Sequence, residues 1–158
     1  MTAASHGAYR VPWAPVAYAV GIAAALALDA IFPLGWIEGP AADILYASGW
    51  LLVLASIGLA AATVRALRRA KTTVAPHRPS EHLVTSGPFS FTRNPIYLSG
   101  AALMIGCGLI LGSVWFILFA VVAGLAIQKL AIEPEEKHLF ERFGKRYRDY
   151  TKRVRRWI

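Results

Sequence analysis

The chain has 158 residues, of which 56% are hydrophobic and only 16% charged, with a formal net charge of +8. A soluble domain holds roughly 45–50% apolar and about 25% charged residues, so this balance points to one membrane-embedded domain. The basic residues cluster beside apolar runs, the pattern set by anionic headgroups and the positive-inside rule, and a nucleic-acid partner is not expected.

Val11 to Phe32 is the first apolar run, 22 residues with only Asp29 charged. Ala25-Leu26-Ala27 is a passable signal-peptidase site, but the run is long for a signal core and a membrane span is expected. Asp29 is expected at the interface, since a carboxylate at the bilayer centre costs a few kcal/mol. A turn-rich connector, Pro33 to Asp43, carries Glu38 and Asp43 and no lysine or arginine. Ile44 to Val64 is a second span of 21 uncharged residues, closed by Arg65, Arg68, Arg69 and Lys71. The loop from Thr72 to Pro88 holds Pro76, Pro79 and Pro88, which prevent a long helix.

Gly87-Pro88 is a turn pair, and Asn94-Pro95 reads as a helix start in which Pro fits the first turn and Asn caps it. Arg93 lies between them, where headgroup-level chemistry meets the apolar phase. Ile96 to Ile127 is a run of 32 residues without a charge. As one helix it would reach about 48 Å, too long for a bilayer core, so a hairpin of helices at about 96–111 and 114–132 is expected around Gly112-Ser113. Gly108 and Gly112 also form a GxxxG pair, but turn glycine is the simpler reading. Cys107, the single cysteine, reads as a small packing residue, and His6, His77, His82 and His138 show no metal-ligand spacing.

The tail, residues 133–158, differs in kind. Leu139, Phe143, Tyr147, Tyr150 and Val154 recur at helical spacing as one stripe. The other faces carry Arg142, Lys145, Arg146, Arg148, Lys152, Arg153, Arg155 and Arg156. Such an element suits an anionic membrane surface, and Gly144 marks a break between two helices. Glu135 and Glu136 follow Pro134. They read either as helix-start acids favourable to the dipole or as carboxylates for ribose hydroxyls or a cationic ligand. The expected fold is an all-α integral-membrane helical bundle of about four spans with an amphipathic tail. Both termini and all 17 lysines and arginines then lie on the cytoplasmic side. There Arg93 and Glu135 can meet across one mouth.

The order Leu83-Val84-Thr85-x-Gly87-Pro88-Phe89, then Arg93-Asn94-Pro95-Ile96-Tyr97, then Glu135-Glu136-x-x-Leu139-x-x-x-Phe143-Gly144-x-x-Tyr147-x-x-Tyr150 resembles the isoprenylcysteine carboxyl methyltransferase family. That family belongs to a wider group of integral-membrane methyltransferases that includes phospholipid N-methyltransferases. The likeness covers roughly residues 72–154. It implies S-adenosylmethionine as cofactor, with His82, Leu83, Val84 and Phe89 along it. Asn94, Pro95, Ile96 and Tyr97 would bind it from the third helix, and Glu135 and Glu136 from the tail. Arg93 would orient an anionic acceptor or the cofactor carboxylate.

Two positions depart from the family pattern. Its usual histidine is Asn94 here, which cannot titrate. A substrate-directed arginine of the prenylcysteine enzymes is Ala131, with Lys129 nearby. The acceptor implied is lipophilic: a prenylcysteine-like carboxylate, or a lipid amine or thiol. Two other readings remain at this level. One is an NADPH-dependent membrane reductase of related fold, although its usual acid falls at Ala101. The other is a non-enzymatic membrane adaptor.

Overall fold

The computed structural model describes residues 12–70 and 83–158, and every regular element among them is helical. His82 and the prolines Pro76 and Pro79 lie outside the described residues. Three helices are long and apolar enough to cross a membrane: α1 (Trp13–Ile31), α2 (Pro40–Arg69) and a rod from Val114 to Phe143. α3 (Pro95–Leu111) is equally apolar but has 17 residues, a rise of about 25 Å. A helix satisfies every backbone donor and acceptor within itself, the condition an apolar phase imposes on such sequences.

In α2 the helix outlasts the apolar span. The uncharged run stops at Val64, yet the helix continues to Arg69, because alanine and arginine favour helix and cations suit its C-terminal end. α2 packs along α3, while α1 packs along α4 (Val114–Ile127) and touches α3. The α2–α3 approach runs through Gly49 and Gly106. A Cβ on Gly49 would stand 2.8 Å from the Gly106 carbonyl oxygen. The Gly108–Gly112 pair does something else: Gly108 faces Phe116 of the following helix, and Gly112 adopts φ 64° to end α3.

That end of the hairpin is tied to α1 by polar contacts. Ser113 Oγ donates to Asp29 Oδ1 at 3.0 Å, and Trp115 Nε1 donates to the Phe32 carbonyl at 2.8 Å.

The rod departs from the expected break before the tail. α4 passes through one π turn, Gln128–Ile132, directly into α5 (Glu133–Phe143), with Ile132 in helical conformation. The Glu133 N–H bonds to the Gln128 carbonyl, five residues back. Pro134 has no N–H to give the preceding turn and its ring crowds the carbonyl four residues earlier, so a widened turn accommodates it without ending the helix. Glu135 and Glu136 therefore do not sit at a free helix start, and the dipole account of them fails. At Gly144, φ 50°, the helix breaks and α6 (Lys145–Arg153) begins. Beyond α6 the chain extends from Val154. The tail stripe packs on the protein itself: Tyr147, Tyr150 and Val154 are buried together, with Leu83, Leu139 and Phe143 against them.

Candidate functional site

Four segments meet at the end of the bundle opposite the α3–α4 turn: the loop 83–94, the first turn of α3, the π turn with the start of α5, and the extended C-terminal residues. Gly87, φ 64°, lets the loop reverse into a short 3-10 turn, Gly87–Ser90. The Phe89 carbonyl there accepts a hydrogen bond from Tyr150 Oη at 2.6 Å, fastening α6 to the loop.

The C-terminal segment runs alongside residues 92–94. The Arg93 N–H donates to the Arg155 carbonyl at 3.0 Å. The Arg156 carbonyl accepts from Thr92 Oγ1 at 3.2 Å and from Asn94 Nδ2 at 3.0 Å. Trp157 Nε1 reaches Gln128 Oε1 at 2.9 Å on the π turn. Asn94 occupies the N-cap position of α3, but its side chain makes no capping bond. Thr92 Oγ1 instead accepts the Asn94 N–H at 3.2 Å.

Two adjacent carboxylates face different partners. Tyr97 Oη donates to Glu135 Oε2 at 3.1 Å, joining α3 to α5, and the Tyr97 carbonyl in turn accepts from Tyr18 Oη of α1 at 2.6 Å. Glu135 has no cationic partner among the described residues. Lying beyond the last apolar turn of the rod, its carboxyl is held above the ordinary carboxylate range by burial. The Tyr97 hydroxyl works against that rise, and the Glu136 charge adds a smaller push upward. Glu136 is held by two arginines. Arg156 donates from Nε to Oε1 at 3.1 Å and from Nη2 to Oε2 at 2.7 Å, while Arg93 Nη1 stands 3.2 Å from Oε1. The Glu136 hydrogen bonds raise the Arg156 pKa further, so it stays charged. Tyr147 lies within this group. Its hydroxyl is pushed up to about 12, by burial first and then by Glu136, with Arg93 pulling the other way. Lys129 and Glu133 pair at 2.9 Å, and Glu133 Oε1 also stands 3.8 Å from Arg156 Nη1.

The sequence-predicted residues thus fall into groups. Arg93, Asn94, Tyr97, Glu135 and Glu136 come together at this end of the bundle, linked by Arg156 and by the Tyr97–Glu135 hydrogen bond. Pro95 is fully buried as the first residue of α3, whereas Ile96 is exposed. Leu83 and Val84 are half-buried in the loop, Leu83 against the tail stripe, and Phe89 is half-buried in its turn. Sequence reasoning overlooked Thr92, Tyr18 and Gln128, and assigned Arg156 to the basic outer face, whereas it turns inward. The contacts of Arg156 and Gln128 come from an extended segment that has no periodicity to read.

The sequence model of a family described as phospholipid methyltransferase matches residues 44–146. That family is part of the isoprenylcysteine carboxyl methyltransferase-like superfamily. No curated protein matches the chain. The matched stretch runs from α2 to the start of α6 and takes in Arg93, Asn94, Tyr97, Glu135 and Glu136, but stops short of the C-terminal segment that binds them.

Proposed function

The chain belongs to the phospholipid methyltransferase family, and from that premise we propose that it transfers a methyl group from S-adenosylmethionine to a lipophilic acceptor at the cytoplasmic face of a membrane that it crosses four times. The observation that carries this reading is the Tyr97–Glu135 pair: a partly buried carboxylate oriented by a hydroxyl and left without a cation among the described residues. Such a group suits a positively charged ligand, whose arrival offsets the cost of keeping the carboxylate ionised.

When bound, the cofactor would supply an electrophilic methyl group on a sulfonium. The protein's part is to position the two reactants and to balance charge. Glu135 faces the ammonium group of the ligand's amino-acid end, which S-adenosylmethionine and S-adenosylhomocysteine share. Asn94 acts by fixing the start of α3, because its amide is engaged by the Arg156 carbonyl. Glu136, engaged through both oxygens, orders Arg93 and Arg156 and is not itself a ligand. Phe89, Leu83 and Val84 are half-buried in the loop that leads into α3, with Leu83 against the tail stripe. A lipid amine is the acceptor that fits the family description, and the absence of an arginine at Ala131 weighs against a prenylcysteine carboxylate.

Calorimetry of S-adenosylhomocysteine binding to detergent-purified protein tests this reading, with NADPH as the control ligand. The parent protein binds the first and not the second. Glu135→Gln changes charge and not size, and weakens binding by about tenfold, the equivalent of roughly 1.4 kcal/mol. Equal affinity in Glu135→Gln would remove Glu135 from the site. A labelled-methyl screen over lipid amines, thiols and prenylated carboxylates then identifies the acceptor.

A further inference from the structure

Glu136 is shared unequally between two arginines. Arg156 grips both carboxylate oxygens, at 3.1 and 2.7 Å, while Arg93 keeps one contact through Nη1 at 3.2 Å. Arg93 Nε is buried and has no hydrogen-bond partner among the described residues. Arginine and carboxylate tend to pair as a two-pronged fork. Were Arg156 not there, the Glu136 carboxylate would be open to such a fork from Arg93.

The main chain fixes where the Arg156 side chain starts. Its carbonyl is held by Thr92 and Asn94, the preceding carbonyl by the Arg93 N–H, and the following Trp157 by Gln128. The charges do not cancel. Arg93, Arg156 and Lys129 face the two carboxylates of Glu136 and Glu133, with Lys129 on Glu133 at 2.9 Å and Arg156 Nη1 3.8 Å from the same Glu133 oxygen. The group therefore carries about one positive charge in excess, next to the Glu135 carboxyl, which has no cationic partner among the described residues.

We infer that Arg156 is a positioning residue: by occupying Glu136 it keeps the Arg93 guanidinium from closing on that carboxylate and leaves it free to hold an anionic group of a ligand. That group is the carboxylate of the cofactor or the phosphate of a lipid acceptor. The inference rests on the methyl-transfer reading. A positive pole at Arg93 and a negative one at Glu135 then match the two ends of an amino-acid zwitterion.

The test uses the full chain in detergent and three proteins: the parent, Arg156→Gln, and Arg156→Gln combined with Glu136→Gln. Each is titrated calorimetrically with S-adenosylhomocysteine, and with methylthioadenosine, which lacks the amino-acid end. Binding of phosphatidic acid relative to diacylglycerol in mixed micelles is measured alongside. Arg156→Gln is expected to weaken S-adenosylhomocysteine about tenfold, the order of one charge-assisted hydrogen bond, and to leave methylthioadenosine unchanged. Adding Glu136→Gln restores most of the loss, because the trap for Arg93 is gone. A purely structural role would not give that rescue. If phosphatidic acid binding falls and recovers in place of S-adenosylhomocysteine binding, the anion is the acceptor's phosphate. Equal weakening of both nucleosides without rescue, or no change in any ligand, overturns the inference. If the parent binds neither nucleoside, the methyl-transfer reading fails and this inference falls with it.

Discussion

Glu135 and Glu136 are neighbours in sequence with opposite situations, one oriented by a neutral hydroxyl and the other gripped by two cations. The dipeptide itself was legible as a candidate. Its division was not, because it depends on Arg156, 20 positions away, and on the phase at which the rod emerges from its π turn. The Tyr97 hydroxyl favours the ionised form of Glu135, against the burial that raises its pKa. A cationic ligand needs that ionised form, so its affinity is full above the Glu135 pKa and declines as pH falls through it. Tyr97→Phe removes the favourable hydrogen bond and raises the pKa further. The decline in S-adenosylmethionine affinity, followed by calorimetry as the pH is lowered, is therefore expected to begin at higher pH in Tyr97→Phe. A profile identical to the parent's would separate Tyr97 from the ionisation of Glu135.

Among the elements, what the chain announces is periodicity, and what it conceals is which helix lies against which. The stripe of Leu139, Phe143, Tyr147, Tyr150 and Val154 was visible because a spacing of three to four residues repeats along it, and it is buried as that stripe against Leu83. The hairpin at Gly112 was visible because a 32-residue apolar run exceeds one bilayer crossing. Pro134 misled because a proline after a long apolar run looks the same whether it opens a helix or is absorbed by a wider turn. The α2–α3 contact was hidden for another reason: Gly49 and Gly106 lie on different helices, and no spacing links them. Their backbones approach so closely that a side chain at Gly49 would meet the Gly106 carbonyl and Ile110, both within 2.8 Å. Gly49→Val is thus expected to force α2 and α3 apart and to lower stability by about 1–3 kcal/mol, the usual cost of overfilling a packed contact. Gly58, also in α2, has nothing near its Cβ position, so Gly58→Ala should leave the thermal unfolding temperature in detergent unchanged or raised. Equal losses in both variants would show that any side chain disturbs α2, and would remove the special role of the close approach.

For the molecule as a whole, the asymmetry of charge is the basis of the proposed orientation. Between Val11 and Val64 there is no lysine or arginine, and the connector between α1 and α2 carries Glu38 and Asp43. None lies between Ile96 and Gln128 either, so the α3–α4 turn is also free of basic residues. The described arginines and lysines fall at the C-terminal end of α2, in the loop before α3, and from Lys129 onward. The packing of the helices puts these segments at one end of the bundle: the 3-10 turn lies against the end of α2, and the tail lies against the loop. Each lysine or arginine near an anionic leaflet contributes about 1 kcal/mol, screened by salt. A bundle with this distribution is drawn to place its basic end in the cytoplasm. With the four crossings proposed above, the methyl-transfer mouth would lie on that side, and the 17-residue α3 would cross alongside the longer α2, against which it packs. Single cysteines in a Cys107→Ala background test this arrangement in intact cells. A cysteine replacing the exposed Glu38 is expected to react with a membrane-impermeant maleimide. One replacing the exposed Glu141 of α5 is expected to react only after the cells are opened. The reverse pattern would turn the protein over in the membrane. Reaction of both sites from outside would put the two ends of the bundle on one side, and the four-crossing arrangement would be wrong.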